Sequence, residues 1–487
     1  MNQKTGLFKI IFYFIVITFS ATGCSPAVQS GYIQTDKNQQ VEQNIPTQEI
    51  VVDKEAFIFN AENASAGDAY IPEIGNRGYD VQQYNLNITL DPGTYWVEGT
   101  MDVDLLITQD NLRQISFDLV GLSVNDVEVD NAPADQFFSL NKKLYVDFTE
   151  PVENGSSHTI SIQYAGQPVQ EPSAYVPFID YLGIQFREEM LYIVSEPDGA
   201  RYWMPVNDHP LDKASYHMEI TVPEQYVAAS NGKLINTIEA SDRTTFTWVN
   251  PEPLASGLVT IAVGKYERIE SVSPDGIILR SYVTNESTTA LEDMQPIIGE
   301  MIDWMSDLFG PYPFEEFGYV EVSDIGASLE TQTMVIMSES ALLDEGVLCH
   351  EMSHMWFGDW VSLNSWSEIW RNEGFATYVS LMWQYRNDEQ GLDIYMEQLQ
   401  ENINSQPNNF PLNNPPSEEM FGRDSYYKGA VLAHALRKEV GDEAFFSGLK
   451  TYFNQYGGST ASDAEFQAIM EEASGRSLND FFKNWFE

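Results

Sequence analysis

The reading turns on His350-Glu351-Met352-Ser353-His354, with eighteen residues between it and the Glu373 of Asn372-Glu373-Gly374-Phe375. On a helix, residues i and i+4 share a face, so both imidazoles can reach one ion. Glu351 lies about one residue's rotation from that pair, where its carboxylate can reach a water at the ion. Histidine is scarce in this chain, six in 487 residues, which sharpens the signal of two at this spacing. A catalytic zinc site needs three protein ligands and an open position. Glu373 alone would pass for a surface acid; joined to the pair it completes the set. Gly358, Asp359, Asn364 and Ser365 break the intervening chain, so a second helix can fold back on the first.

Working outward, the patterning predicts helices over 342–357 and 372–385, which would carry these ligands. Another is expected over 289–309, capped by Asn285-Glu286-Ser287 and stopped at Gly310-Pro311. Strands are expected at 319–322 and 334–337, and a run of short helices from Tyr426 to the C-terminus. Upstream the period changes to two. Val81, Tyr84, Leu86, Ile88 and Leu90 alternate with polar residues, Asp91-Pro92-Gly93 breaks the run, and similar stretches continue to Val263-Gly264-Lys265-Tyr266. The fold class is therefore multi-domain: an all-β domain over 76–267, then an α/β, mainly helical domain over 268–487.

The N-terminus reads differently. Lys4, Lys9 and a short apolar run lead to Ala21-Thr22-Gly23-Cys24. This resembles a bacterial lipoprotein signal over 1–23, with Cys24 as the lipidated residue. Residues 24–75, rich in polar and small side chains, are expected to be a flexible tether. These features imply an extracytoplasmic, lipid-anchored protein of the cell envelope. Cys349 is the only other cysteine, so no intrachain disulfide framework is expected. Its place on the helix beside His350 suggests a small apolar filler. Twenty-five basic against 73 acidic residues give a net charge of −48, which disfavours nucleic acid and anionic lipid as partners. Acids lining a cleft would instead attract a substrate carrying an ammonium group.

The combined pattern is similar to the M1 zinc aminopeptidases, of the gluzincin group. The resemblance spans about residues 78–487 and rests on His350-Glu351-x-x-His354, Trp356-Phe357-Gly358-Asp359 and Asn372-Glu373-Gly374-Phe375-Ala376. It implies a saddle-like β domain, a thermolysin-like catalytic domain and one zinc ion held by His350, His354 and Glu373, with Glu351 as general base. Three further elements carry over by position. Ala327-Ser328-Leu329-Glu330-Thr331 stands where the family has Gly-Ala-Met-Glu-Asn, with only the Glu identical. Glu330 would then bind the substrate's free α-amine, aided by Glu196 of Glu196-Pro197-Asp198-Gly199-Ala200-Arg201. Tyr426-Tyr427-Lys428-Gly429 is similar to the family's Tyr-x-Lys-Gly. Composition alone leaves either ring open, and the motif favours Tyr426 as the donor to the oxyanion.

The resemblance thus implies hydrolysis of the N-terminal peptide bond of peptides with a free N-terminus. It also implies a short form without the C-terminal helical domain of larger relatives, and a more open site. Asp359 and Glu368 are candidates to orient the ligand histidines. The rivals are an endopeptidase of thermolysin type and a catalytically inactive peptide-binding protein. Oligomeric state is not readable from this sequence.

Overall fold

The computed structural model describes residues 63–407 and 410–486. The signal segment, Cys24 and most of the expected tether lie outside these residues. The tether does not extend to 75, however. Ile71 and Ile74 are wholly buried and Asp68 nearly so, because this stretch places its few apolar groups into a core. Its polar composition hid them.

Alternating strands build the first half. Tyr79–Leu90 and Lys213–Pro223 bury every second side chain, as the period of two requires. They pair in parallel, with Tyr84 stacked on Tyr216 at a centroid separation of 5.0 Å. This pair lies within an eight-stranded sheet, flanked by Val97–Ile107 on one side and Arg243–Ala255 on the other. Two smaller sheets cover it. Met190–Val194 is an inner strand of the four-stranded one and delivers Glu196 beyond its last residue.

The strand Glu267–Val272 pairs with Ile278–Val283, and this pair begins the sheet of the second half. Tyr319–Val322 and Val335–Ser338 complete its parallel core. Eight α-helices of the described residues pack around it: α1 (Thr288–Phe309), α2 (Glu345–Ser353), α3 (Trp370–Gln384), α4 (Glu389–Asn404), α5 (Gly429–Val440), α6 (Asp442–Tyr456), α7 (Asp463–Ser474) and α8 (Asn479–Phe486). None of the described helices is long and apolar enough to cross a membrane. The described residues form one compact unit.

Two helix termini differ from expectation. Ser287 does not cap α1; its hydroxyl donates to Glu321 at 2.6 Å instead. The helix expected over 342–357 is shorter at both ends. Asp344 starts α2 by accepting from the Gly346 and Val347 N–H groups, which satisfies two of its free donors. At the other end, Met355 and Trp356 make tighter bonds to Met352 and Ser353, and the chain turns at Gly358 with φ of +127°. That turn brings the Phe357 carbonyl back toward His354.

α3 is buried along nearly its whole length, so its low amphipathicity is that of a core helix. It meets α5 at Gly374 and Gly429, backbone against backbone. A Cβ on Gly374 would stand 2.6 Å from Gly429 Cα, and one on Gly429 2.7 Å from Gly374 Cα. This contact sets how close Glu373 comes to Tyr426. Gly374→Ala or Gly429→Ala should therefore cost about 1–3 kcal/mol of stability by urea unfolding. Gly93→Ala, where the new Cβ meets only Asp91 Oδ1 at 3.4 Å, should change little by the same measurement.

Candidate metal centre

α2 and the first turn of α3 face one another across a cleft closed on its far side by the strand end at Glu196. His350 Nε2 and His354 Nε2 are 3.2 Å apart. Glu373 Oε2 lies 3.4 Å from the first and 3.7 Å from the second. His354 Nδ1 stands 3.0 Å from the Phe357 carbonyl. A carbonyl can only accept, so the proton sits on Nδ1 and Nε2 presents its lone pair to the cleft. Two imidazole nitrogens and one carboxylate oxygen, all within 4.8 Å of one another, match the donor set of a catalytic zinc site.

The electrostatics fit a cation equally well. Glu351 and Glu373 are buried, and burial followed by the repulsion of Glu330 pushes both carboxyls well above their ordinary range. Burial, then Glu330 and Glu373, does the same to Glu196. The imidazoles move the other way. Burial and the neighbouring ring drop His350 to about 3, and burial brings His354 to about 4. Both rings are therefore neutral at physiological pH, as metal ligation requires.

Glu330 lies 7% exposed beside His354, its Oε1 3.9 Å from the Nδ1 of that ring. Its carboxyl hydrogen-bonds with that of Glu196, so these two acids from different halves of the chain meet in the cleft. Oε1 itself has no hydrogen-bond partner in the fold. Leu329 exchanges both backbone hydrogen bonds with Ile336 at 2.9 and 3.0 Å. The N–H and C=O groups of Ser328 and Glu330 consequently point to the opposite edge of this extended stretch. Thr331, where the family carries Asn, turns its hydroxyl onto the Met334 carbonyl and closes a local turn. Ala327 is half-buried and packs against the β-domain core.

Tyr426 and Tyr427 are now separable. The chain widens into a π-helical turn over Asp424–Lys428, a feature common at functional sites. Tyr426 faces inward, nearly parallel to His350 with centroids 6.0 Å apart, and its hydroxyl hydrogen-bonds to Glu373. Tyr427 is 42% exposed. The orienting roles considered for Asp359 and Glu368 are not what the structure has. Both carboxylate oxygens of Asp359 are buried without a hydrogen-bond partner, and Glu368 binds Arg371 and the Asp463 N–H. The Phe357 carbonyl does the orienting, and a backbone group leaves no mark in composition.

Lys213 was also missed. Its ammonium, from the start of a β-domain strand, donates to the Asp359 and Trp360 carbonyls at 2.7 and 3.2 Å. Burial lowers it to about 7 against the opposing pull of Asp359. Nothing but its position before an alternating run marks it in the sequence. Cys349 is fully buried with its Sγ 3.8 Å from the Val379 carbonyl, in keeping with a filler.

The sequence profile described as "Peptidase M1 N-terminal domain" matches residues 81–258, and that of "Peptidase family M1 domain" matches 295–485. Aminopeptidase M1 of Arabidopsis thaliana is 26% identical over 83% of this chain and 50% of its own length. Probable aminopeptidase 1 of Sulfurisphaera tokodaii is 24% identical over 83% of this chain and 52% of its own. The chain thus spans about half the length of these curated relatives. Crystal structures match it nearly end to end. That of an M1 zinc metallopeptidase from Deinococcus radiodurans is 28% identical with a TM-score of 0.80, covering 87% of this chain and 97% of that one. A mutant of that metallopeptidase, bound to a Tyr-Ser-Ala substrate, superposes with a TM-score of 0.78 at 28% identity, over 87% and 97% of the two chains.

Since a ligand carboxylate must be ionised, zinc uptake has to expel the proton that burial favours on Glu373. Binding should therefore tighten as pH rises and be accompanied by proton release. Calorimetric titration in two buffers of different ionisation enthalpy reads that release directly. The histidines should add no competing protonation above about pH 4.

Proposed function

The chain belongs to peptidase family M1, and from that premise we propose that it is a zinc-dependent aminopeptidase acting on peptides with a free N-terminus. The observation that carries this reading is the pairing of a metal-ligand triad with two further carboxylates, Glu196 and Glu330, that meet in the same cleft. An endopeptidase has no use for the second pair.

His350, His354 and Glu373 would hold the zinc, which when bound supplies a Lewis acid that polarises the scissile carbonyl and acidifies water. The rest of the chemistry belongs to the protein. Glu330 and Glu196 accept charge-assisted hydrogen bonds from the substrate's ammonium, so that the first peptide bond is the one held in place. A positive substrate end also offsets the burial that raises both carboxyls, and the like-charge repulsion that adds to it at Glu196. The free edge at Ser328 and Glu330 can pair with the peptide backbone, aligning it as an added strand. Glu351, its carboxyl pushed well above the ordinary range by burial and then by Glu330, removes a proton from the attacking water and returns it to the leaving amine. Tyr426 donates its hydroxyl to the oxyanion of the tetrahedral intermediate.

The decisive assay is hydrolysis of a panel of aminoacyl amides, with and without chelator, beside matched N-acetylated peptides. Activity should vanish on chelation and return with zinc, and the acetyl cap should abolish it. Cleavage of capped peptides would favour the endopeptidase reading. Glu351→Gln should retain the metal and turn over at least ~100-fold more slowly, whereas full activity in that variant would remove the mechanism.

We propose further that the protein is lipid-anchored in the cell envelope through Cys24. The support is the sequence around that residue, since it lies outside the described part of the chain. In a bacterial host, Cys24→Ser should move the protein from the membrane to the soluble fraction and abolish incorporation of labelled fatty acid.

A further inference from the structure

The segment ahead of the first strand has ties that chain termini commonly lack. The Asp68 carboxylate is fully buried. Its Oδ2 accepts from the Ser365 hydroxyl and the Trp366 N–H, each at 2.9 Å. Its Oδ1 accepts from the Tyr70 and Ile71 N–H groups at 2.7 and 3.1 Å. Burial alone would raise its pKa, yet His209 and these backbone donors hold the group well below the usual carboxylate range. It therefore stays anionic with four donors around it.

What Asp68 grips is the turn that launches α3. Ser365 caps the short turn Trp366–Glu368, and the Glu373 N–H bonds back to the Ile369 carbonyl at 3.1 Å. Two turns, Trp366 to Ile369 and Ile369 to Glu373, thus separate the Asp68 contacts from the carboxylate at 373. Two residues along, the Tyr70 hydroxyl donates to the Pro415 carbonyl at 2.6 Å, with Asn414 Oδ1 at 3.0 Å. That loop leads through Met420 and Phe421 into the π turn, where the Ser425 hydroxyl donates to the Met420 carbonyl at 2.7 Å. Tyr426 is the next residue. Ile71 and Ile74 belong to the same continuous core as Trp366, Ile369, Met420 and Phe421.

We propose that residues 68–71 are a positioning strap for the catalytic groups: Asp68 sets the placement of Glu373 through the 365–366 turn, and Tyr70 sets that of Tyr426 through the 414–421 loop. The proposal rests on the zinc-peptidase reading of this cleft. The two residues act on different groups, and so their loss should leave different signatures. Asp68→Asn presents an amide N–H to donors that need an acceptor, which loosens the turn before a metal ligand. Tyr70→Phe removes a single hydroxyl bond from the path to Tyr426.

The test measures zinc affinity by competition with a chromophoric chelator, alongside kcat, KM and Tm, on the full chain and its variants. Asp68→Asn should weaken zinc binding about 10–100-fold, the range for groups that orient metal ligands. Tyr70→Phe should keep wild-type zinc affinity and KM but lower kcat about tenfold, a small displacement of a catalytic donor. Ile74→Val supplies the packing control, since it trims a buried side chain just beyond the strap and removes none of the strap's hydrogen bonds. Wild-type zinc affinity in Asp68→Asn would overturn the proposal. So would an equal loss of affinity in Ile74→Val at a matched fall in Tm, which would reduce the strap to general stability. A wild-type protein that binds no zinc would instead refute the premise, a separate result.

Discussion

Crowding of like charge in a dry cleft is the constraint from which the rest of this structure follows. Glu196, Glu330, Glu351 and Glu373 come from four separate elements and meet around two neutral imidazoles. Carboxylates brought together out of water repel one another and lose hydration, so each favours its protonated form. Such an arrangement is unfavourable by itself and becomes favourable only when positive charge enters. Two kinds are chemically suited to this cleft, a divalent ion at the imidazole end and an ammonium at the Glu196 end. A fold that holds acids in this state is preorganised for both.

The rigidity for this comes from close backbone contact rather than from side-chain bulk. Gly374 and Gly429 let α3 and α5 touch, and Lys213 ties the β domain to the loop that orients His354. Gly374 adjoins Glu373 in the chain, and the carbonyls that Lys213 binds, those of Asp359 and Trp360, follow directly on the turn that orients His354. The β domain is thereby part of the active centre's framework and not only the donor of Glu196.

Legibility in the sequence followed the range of the interactions. The metal triad could be read because His350 and His354 obey helical spacing and Glu373 follows at a distance that suits a helical hairpin. The β domain could be read from its period of two. The ends of α2 could not, since they depend on a tight turn and on the carbonyl of Phe357, and backbone groups have no letter. Asp359 and Glu368 looked apt as orienting acids because chain proximity suggested it, whereas Glu368 is engaged by Arg371. The strap reads as tether because two isoleucines among polar residues make no pattern, and the groups that Asp68 binds lie almost 300 residues away. Tyr426 was separated from Tyr427 by a motif, and the physical reason is a turn of unusual width that no propensity scale describes.

The extended stretch at Ala327–Glu330, bonded to Ile336 on one side only, carries a consequence for what such an enzyme can consume. A chain admitted by strand pairing must arrive with its leading residues unpaired. If the chain acts on free N-termini as proposed, proteins whose first residues are already locked into a sheet or helix would be spared, while frayed ends, unfolded chains and short fragments would be admitted. Selection of prey by foldedness would then need no separate gate, for it is inherent in an edge that accepts only a naked backbone.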